Sequence, residues 1–141
     1  MDNQTITKTL FFNASREVVW AFLTDKGKLG TWFHPADRNL QEGQDYALMG
    51  KADDGTPKKM CWGTVIEMQP PSKLVQSFTV GPLSGAMTTV TWNLEQAGDG
   101  TRLTLEHSGF SEIAAPFGLL MALDKGWDAH FASLRTHVSE A

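Results

Sequence analysis

The chain has 141 residues, 41% of them hydrophobic and 20% charged, which is the size and composition of one ordinary folded domain. A formal charge of −4, without a cluster of lysines and arginines, excludes the cationic surface that a nucleic-acid partner requires. A single cysteine, Cys61, excludes an internal disulfide and a cysteine-based metal site, and it fits a reducing cytoplasm. We therefore expect one cytoplasmic domain over residues 1–141, with no cofactor and no metal.

The first part of the chain predicts a strand followed by a helical insert. Segment 1–9 is polar, so it lacks the apolar core of a signal peptide. Residues 5–12 alternate and predict a strand, and Ser15 is a suitable N-cap for a helix over residues 16–24. Asp25 begins a second, short helical turn that ends near Gly30.

From about residue 43 to residue 108 the pattern predicts five antiparallel strands. Four breaks separate them, at residues 53–55, 70–72, 81–85 and 98–100, and each contains glycine or proline. Such regular spacing is typical of a meander, in which neighbouring strands are joined by short turns.

The last segment predicts a long amphipathic helix. Pro116 suits its first turn, and an apolar stripe recurs at steps of three and four residues. The stripe contains Leu120, Leu123, Trp127, Phe131, Leu134 and Val138. No apolar run reaches the length of about 20 residues that a membrane span needs. This order of elements predicts an α+β fold with helices on one face of an antiparallel sheet.

Short sequence patches that are typical of one protein family occur along nearly the whole chain, at residues 12–15, 19–24, 29–33, 61–67, 70–71, 74–78, 101–110 and 126–127. Together and in this order, they resemble the START/Bet v 1-like (SRPBCC) superfamily, and within it the AHSA1-like branch, which is related to the Hsp90 ATPase activator. The resemblance implies a helix-grip fold: a curved six-stranded antiparallel sheet, a short helical insert after strand 1, and a long C-terminal helix. It also implies an apolar cavity between the sheet and that helix. The family has no shared catalytic motif, so no catalytic residue is transferred.

Strand alternation identifies the side chains that would face the last helix. The predicted sets are Met60, Trp62, Thr64, Ile66 and Met68; Thr88, Val90, Trp92 and Leu94; and Leu103, Leu105 and His107. Trp62 and Trp92 could form an aromatic wall whose indole N–H groups orient a ligand, or they could be core residues. The candidate ligand-binding residues are Trp32, Met60, Trp62, Trp92, His107, Phe117, Met121 and Trp127.

Other potentially reactive side chains are isolated. His107 could be a polar anchor or an acid–base group, or simply a hydrogen-bonded histidine at a strand end. His130 and His137 lie seven residues apart, which is too far for one metal ion. Gly126 interrupts the last helix, which indicates either tight packing against the sheet or close approach of a ligand.

Three functions remain open at this point. The first is binding of a small apolar or lipid-like ligand in the cavity. The second is a co-chaperone-like domain that binds a chaperone or another protein. The third is an enzyme on an apolar or aromatic substrate, with His107 or a nearby acid as proton donor, although the sequence supplies no nucleophile–base pair.

Overall fold

The computed structural model describes residues 3–141, and these form six strands, three α-helices and one turn of 3-10 helix over Gly81–Leu83. The elements are β1 (Ile6–Phe12), α1 (Arg16–Thr24), α2 (Lys26–Trp32), β2 (Asp45–Lys51), β3 (Pro57–Gln69), β4 (Lys73–Val80), β5 (Thr88–Ala97), β6 (Gly100–Ser108) and α3 (Phe117–Ser139). The predicted order of one strand, a helical insert, five strands and a long helix is confirmed. Residues 1 and 2 of the predicted domain lie outside the described residues.

All six strands belong to one antiparallel sheet with the order β1-β6-β5-β4-β3-β2. The helical insert carries the chain from the β1 edge to the β2 edge, and the later strands return one by one. Gly55 and Gly98 have φ angles of +85° and +56°, so each provides the left-handed conformation that a tight turn requires. The α+β helix-grip prediction is thereby confirmed.

Side-chain caps fix the beginnings of both helices of the insert. Ser15 Oγ accepts a hydrogen bond from the N–H of Val18 at 3.2 Å, as its N-cap position predicts. Asp25 Oδ1 accepts from two backbone N–H groups of the first turn of α2, at 3.0 and 2.9 Å. Helix α2 continues to Trp32, two residues beyond the predicted end, and the Trp32 indole donates to the Phe22 carbonyl of α1 at 2.8 Å. That tertiary bond stabilises a last turn for which the sequence gives no local signal.

Helix α3 lies across the concave face of the sheet. Its 23 residues extend about 35 Å at 1.5 Å per residue. Lys8, on β1, forms ion pairs with Asp124 at 2.8 Å and with Asp128 at 3.0 Å, and these fasten α3 to the β1 edge. The buried stripe of α3 consists of Leu120, Trp127, Phe131, Leu134 and Val138, and all five were predicted. Within residues 3–141, no helix is both long enough and apolar enough to cross a membrane.

The predicted inward faces are confirmed for β5 and β6 but only in part for β3. Leu48 pairs with Cys61 and Met49 pairs with Lys59, so Met60 is an extra residue that forms a β-bulge. A second irregularity follows Val65 in its pairing with β4. Because each extra residue reverses the alternation, Met60 and Met68 face inward as predicted, whereas Trp62, Thr64 and Ile66 do not. Cys61 and Val65 are buried in their place.

Candidate ligand-binding cavity

Aromatic rings fill the centre of the space between the sheet and α3. Trp92 of β5 meets Trp32 and Trp127 edge-to-face, with ring centroids 6.2 and 5.7 Å apart. Phe131 stacks on Trp127 at 5.5 Å. The void left beside them measures about 10 Å³, which holds at most one water molecule. The centre is therefore packed core rather than ligand space.

The indole N–H groups in this core already have partners. Trp32 Nε1 donates to the Phe22 carbonyl at 2.8 Å, and Trp92 Nε1 donates to Gln76 Oε1 at 3.0 Å. Since both bonds are buried, neither N–H is available to orient a ligand. For Trp92 the structure thus supports the alternative of core packing.

His107 is the middle member of a buried hydrogen-bond chain. Trp127 Nε1 donates to His107 Nδ1 at 3.1 Å, so the proton of the neutral ring lies on Nε2 and is donated to Thr88 Oγ1 at 2.7 Å. The Thr88 hydroxyl in turn donates to the Phe78 carbonyl at 2.6 Å. Burial lowers the pKa of His107 to about 3, which keeps the ring neutral near pH 7. These linked hydrogen bonds fix the position of the Trp127 indole.

A cavity of about 310 Å³ remains beside the aromatic centre, towards the beginning of α3. Small-molecule sites usually measure about 300–1,000 Å³, so this one has room for a single alkyl chain or a small ring system. Its sheet side is formed by the start of β3 and the end of β4, with the turn that follows. The residues of this side are Lys58, Lys59, Met60, Cys61, Phe78, Val80, Gly81 and Pro82.

The bulge shapes this sheet side. With one extra residue in β3, the adjacent Met60 and Cys61 both border the cavity, although neighbours in a regular strand face opposite ways. Burial raises the pKa of the Cys61 thiol to about 12. Cys61 is therefore a small, uncharged part of the wall and not a nucleophile.

The opposite side of the cavity is one face of α3. It consists of Leu119, Leu123, Gly126, Trp127 and His130, which recur at helical spacing. A Cβ atom built on Gly126 would meet no atom within 4 Å beyond its chain neighbours and the backbone of its own helix. Tight packing against the sheet therefore does not explain this glycine, and its missing side chain enlarges the cavity.

Two imidazoles complete the wall beside Phe33. His34 and His130 have ring centroids 5.6 Å apart, and each contacts the Phe33 ring, at 5.0 and 4.6 Å. Burial lowers the pKa of both histidines, and for His34 the neighbouring His130 lowers it further. His130 Nδ1 lies 3.3 Å from the Trp32 carbonyl, so neutral His130 donates from Nδ1 and keeps Nε2 as an acceptor.

The structure brings two of the predicted site residues, Met60 and Trp127, together at the cavity. The others lie outside its lining: Trp32, Trp62, Trp92, His107, Phe117 and Met121. Trp62 occupies the convex face because the bulge reversed its direction. Phe117 and Met121 begin α3 and are 68% and 55% exposed, on a face of the helix away from the cavity.

Sequence reasoning missed several residues of the lining. His34 lies in a loop, and a hydrogen bond from Met49 N to the carbonyl of the next residue, Pro35, at 2.7 Å brings it to the cavity. That contact leaves no mark in the sequence. A signal did exist for His130, because it lies three residues after Trp127 and four after Gly126, on the same helical face.

Comparison with solved structures supports the fold over nearly the whole chain. CalU16 from Micromonospora echinospora is 25% identical with a TM-score of 0.76, over 96% of this chain and 76% of that chain. DynU16, a protein in the dynemicin biosynthetic locus, is 19% identical with a TM-score of 0.80, over 98% of this chain and 48% of that one. MLL2253 from Mesorhizobium loti is 21% identical with a TM-score of 0.79, over 97% and 98% of the two chains.

No curated protein matches the chain. The family model described as "Activator of Hsp90 ATPase homolog 1-like protein" matches residues 13–139. That match includes both helices of the insert, β2 to β6 and all of α3. The chain therefore belongs to the AHSA1-like family, within the START/Bet v 1-like superfamily that its helix-grip fold represents.

Proposed function

We propose that this protein binds a small apolar or lipid-like molecule in the cavity between β3, β4 and α3. The observation that carries the proposal is the cavity of about 310 Å³ with Gly126 on its wall. A glycine inside a helix lowers the stability of that helix by roughly 1 kcal/mol relative to alanine. Here the missing side chain leaves space in the cavity and does not serve close packing against the sheet.

The walls are suited to hold such a ligand without rearrangement. Most of the surrounding side chains are apolar or aromatic, so a ligand gains about 25 cal/mol for each Å² of apolar surface removed from water. Trp127 is held by its bond to the buried His107, which spares the ligand the entropic cost of ordering this indole. A cytoplasmic location is part of the proposal, supported by the single cysteine.

Methionine methyl groups offer a direct test. In protein labelled with ¹³C at the methionine methyls, a neutral probe such as decanol should shift the Met60 resonance, because Met60 lines the cavity. Met121 should not shift, since it lies at the exposed beginning of α3. The melting temperature should rise with probe concentration. If no probe, neutral or charged, shifts Met60 or raises the melting temperature, the cavity has no binding function.

A second candidate is a protein-interaction role related to the activity in the family description, activation of the Hsp90 ATPase. It is favoured by Phe117 and Met121, one helical turn apart and both largely exposed. The test is the ATPase rate of purified Hsp90 with the wild-type protein and with a Phe117→Ser/Met121→Ser variant. An unchanged rate with the wild-type protein excludes the role.

A further inference from the structure

The cavity has an uneven distribution of charge. Among the residues of 3–141 that line it, the titratable side chains are Lys58, Lys59, Cys61, His34 and His130, and none is a carboxylate. Burial keeps the thiol protonated and favours the neutral form of both imidazoles. The charge that borders this apolar space at neutral pH is therefore positive and comes from the lysines of β3.

Strand register shows which lysine faces the cavity. Lys58 pairs with Gly50, and residues directly opposite each other on antiparallel strands project from the same face. A Cβ on Gly50 would lie 2.7 Å from Met60 Cγ, so Gly50 and Lys58 share the face of the sheet that carries the Met60 side chain and borders the cavity. Lys59 also borders the cavity, but it pairs with Met49 and projects from the other face.

Lys58 is exposed at the rim and, within residues 3–141, forms no ion pair with a carboxylate. A lysine in this position can lay its alkyl stem along the apolar wall and keep its ammonium group at the water boundary. A neutral apolar ligand would make no use of that charge. A ligand with an anionic end would bury its apolar part and place the anion against the ammonium group, where a charge-assisted hydrogen bond can form.

We infer that the natural ligand is an amphipathic acid, whose apolar part occupies the cavity and whose carboxylate pairs with Lys58 at the rim. The inference rests on the proposed function and adds the chemical class of the ligand. The cavity volume of about 310 Å³, at the lower end of the usual range, favours an acid with one alkyl chain or a compact ring system over a two-chain lipid.

The test compares three probes of equal chain length and different charge: decanoate, decanol and decylammonium. Binding is measured by titration calorimetry to the wild type and to the variants Lys58→Gln, Lys59→Gln and Lys125→Gln. Lys125 is the matched control, because it lies on α3 beside Gly126 but is exposed and outside the cavity lining. Methionine methyl spectra confirm that each probe reaches Met60.

Decanoate should bind the wild type about two- to fivefold more tightly than decanol, which is the range for a solvent-exposed ion pair, and decylammonium should bind most weakly. Added salt should reduce this preference. The preference should disappear in Lys58→Gln and persist in Lys59→Gln and Lys125→Gln.

Equal binding of the three probes to the wild type would overturn the inference while leaving the cavity function intact. Loss of the acid preference in Lys59→Gln, with its retention in Lys58→Gln, would overturn the assignment to Lys58. Failure of all three probes to bind would refute the proposed function itself, and the inference with it.

Discussion

Replacing Gly126 by alanine should stabilise the protein. Because the new methyl group would meet no atom of another element within 4 Å, the change should yield the full difference in helix propensity, about 0.8–1 kcal/mol. Unfolding entropy near 60 °C is about 2.1 cal/mol/K per residue, or about 0.3 kcal/mol/K for this chain of 141 residues. The melting temperature should therefore rise by about 3 °C, as measured by calorimetry.

Leucine at the same position separates stability from binding. Gly126→Leu should retain most of the gain in helix propensity, but its larger side chain would enter the cavity and abolish binding of decanol. Gly118→Leu is the matched control, since Gly118 begins the same helix, also faces open space and lies outside the cavity lining. It should leave binding unchanged.

The reasoning is refuted if Gly126→Ala lowers the melting temperature. That result would mean that the helix approaches the sheet more closely at this position than the empty space around the missing Cβ indicates. Undiminished decanol binding by Gly126→Leu would equally show that the ligand site lies elsewhere.

Three further predictions concern the core and the sheet around it. The pKa of His107 is about 3 in the folded state and 6.5 in the unfolded state, so between these values only the unfolded state takes up the proton. The free energy of unfolding should therefore fall as the pH is lowered from 6.5 towards 3, by up to about 1.4 kcal/mol per pH unit. His107→Gln should reduce the difference in stability between pH 7 and pH 5 in urea titrations, and an unchanged difference would contradict this assignment. Trp92→Phe should lower the free energy of unfolding by about 1–3 kcal/mol, because it leaves the buried Gln76 Oε1 without its hydrogen bond. Trp62→Phe, on the convex face, should lower it by less, and equal losses would contradict the assigned faces. Gly63→Ala should lower the free energy of unfolding by about 3 kcal/mol, the upper end of the usual cost of overpacking, because its Cβ would lie 2.0 Å from the backbone oxygen of Ser77. A variant of wild-type stability would show that this contact relaxes freely.

Local signals in the sequence were sufficient to predict the elements and the α+β class, and the resemblance to the family added the helix-grip arrangement. Ser15 begins α1 through a hydrogen bond made within its own first turn, and Gly98 permits a turn through its own φ angle. The stripe on α3 follows from helical periodicity alone. Each of these features depends on residues close together in the chain, which is why a single sequence is sufficient to indicate them.

The site was harder to predict because it depends on contacts between distant segments. The bulge at Met60 arises from the pairing of β3 with β2, and one extra residue was enough to move Trp62 to the convex face and bring Cys61 inward. His34 reaches the cavity through a loop held by the N–H of Met49. Neither the offset between two strands nor the path of a loop can be read from alternation along one strand.

The location of the cavity has an energetic consequence for ligand entry. If the space of about 310 Å³ were sealed and empty, at about 24 cal/mol per Å³ it would cost about 7 kcal/mol, a large part of the 5–15 kcal/mol that stabilises a typical domain. The aromatic centre avoids this cost by filling the enclosed region almost completely, with about 10 Å³ left over. The remaining space lies at the rim, where Lys58 and Pro82 are exposed and water can enter. A ligand therefore displaces water from a preformed apolar wall and needs no opening of the core, and at a free concentration [L] it should raise the free energy of unfolding by RT ln(1 + [L]/Kd).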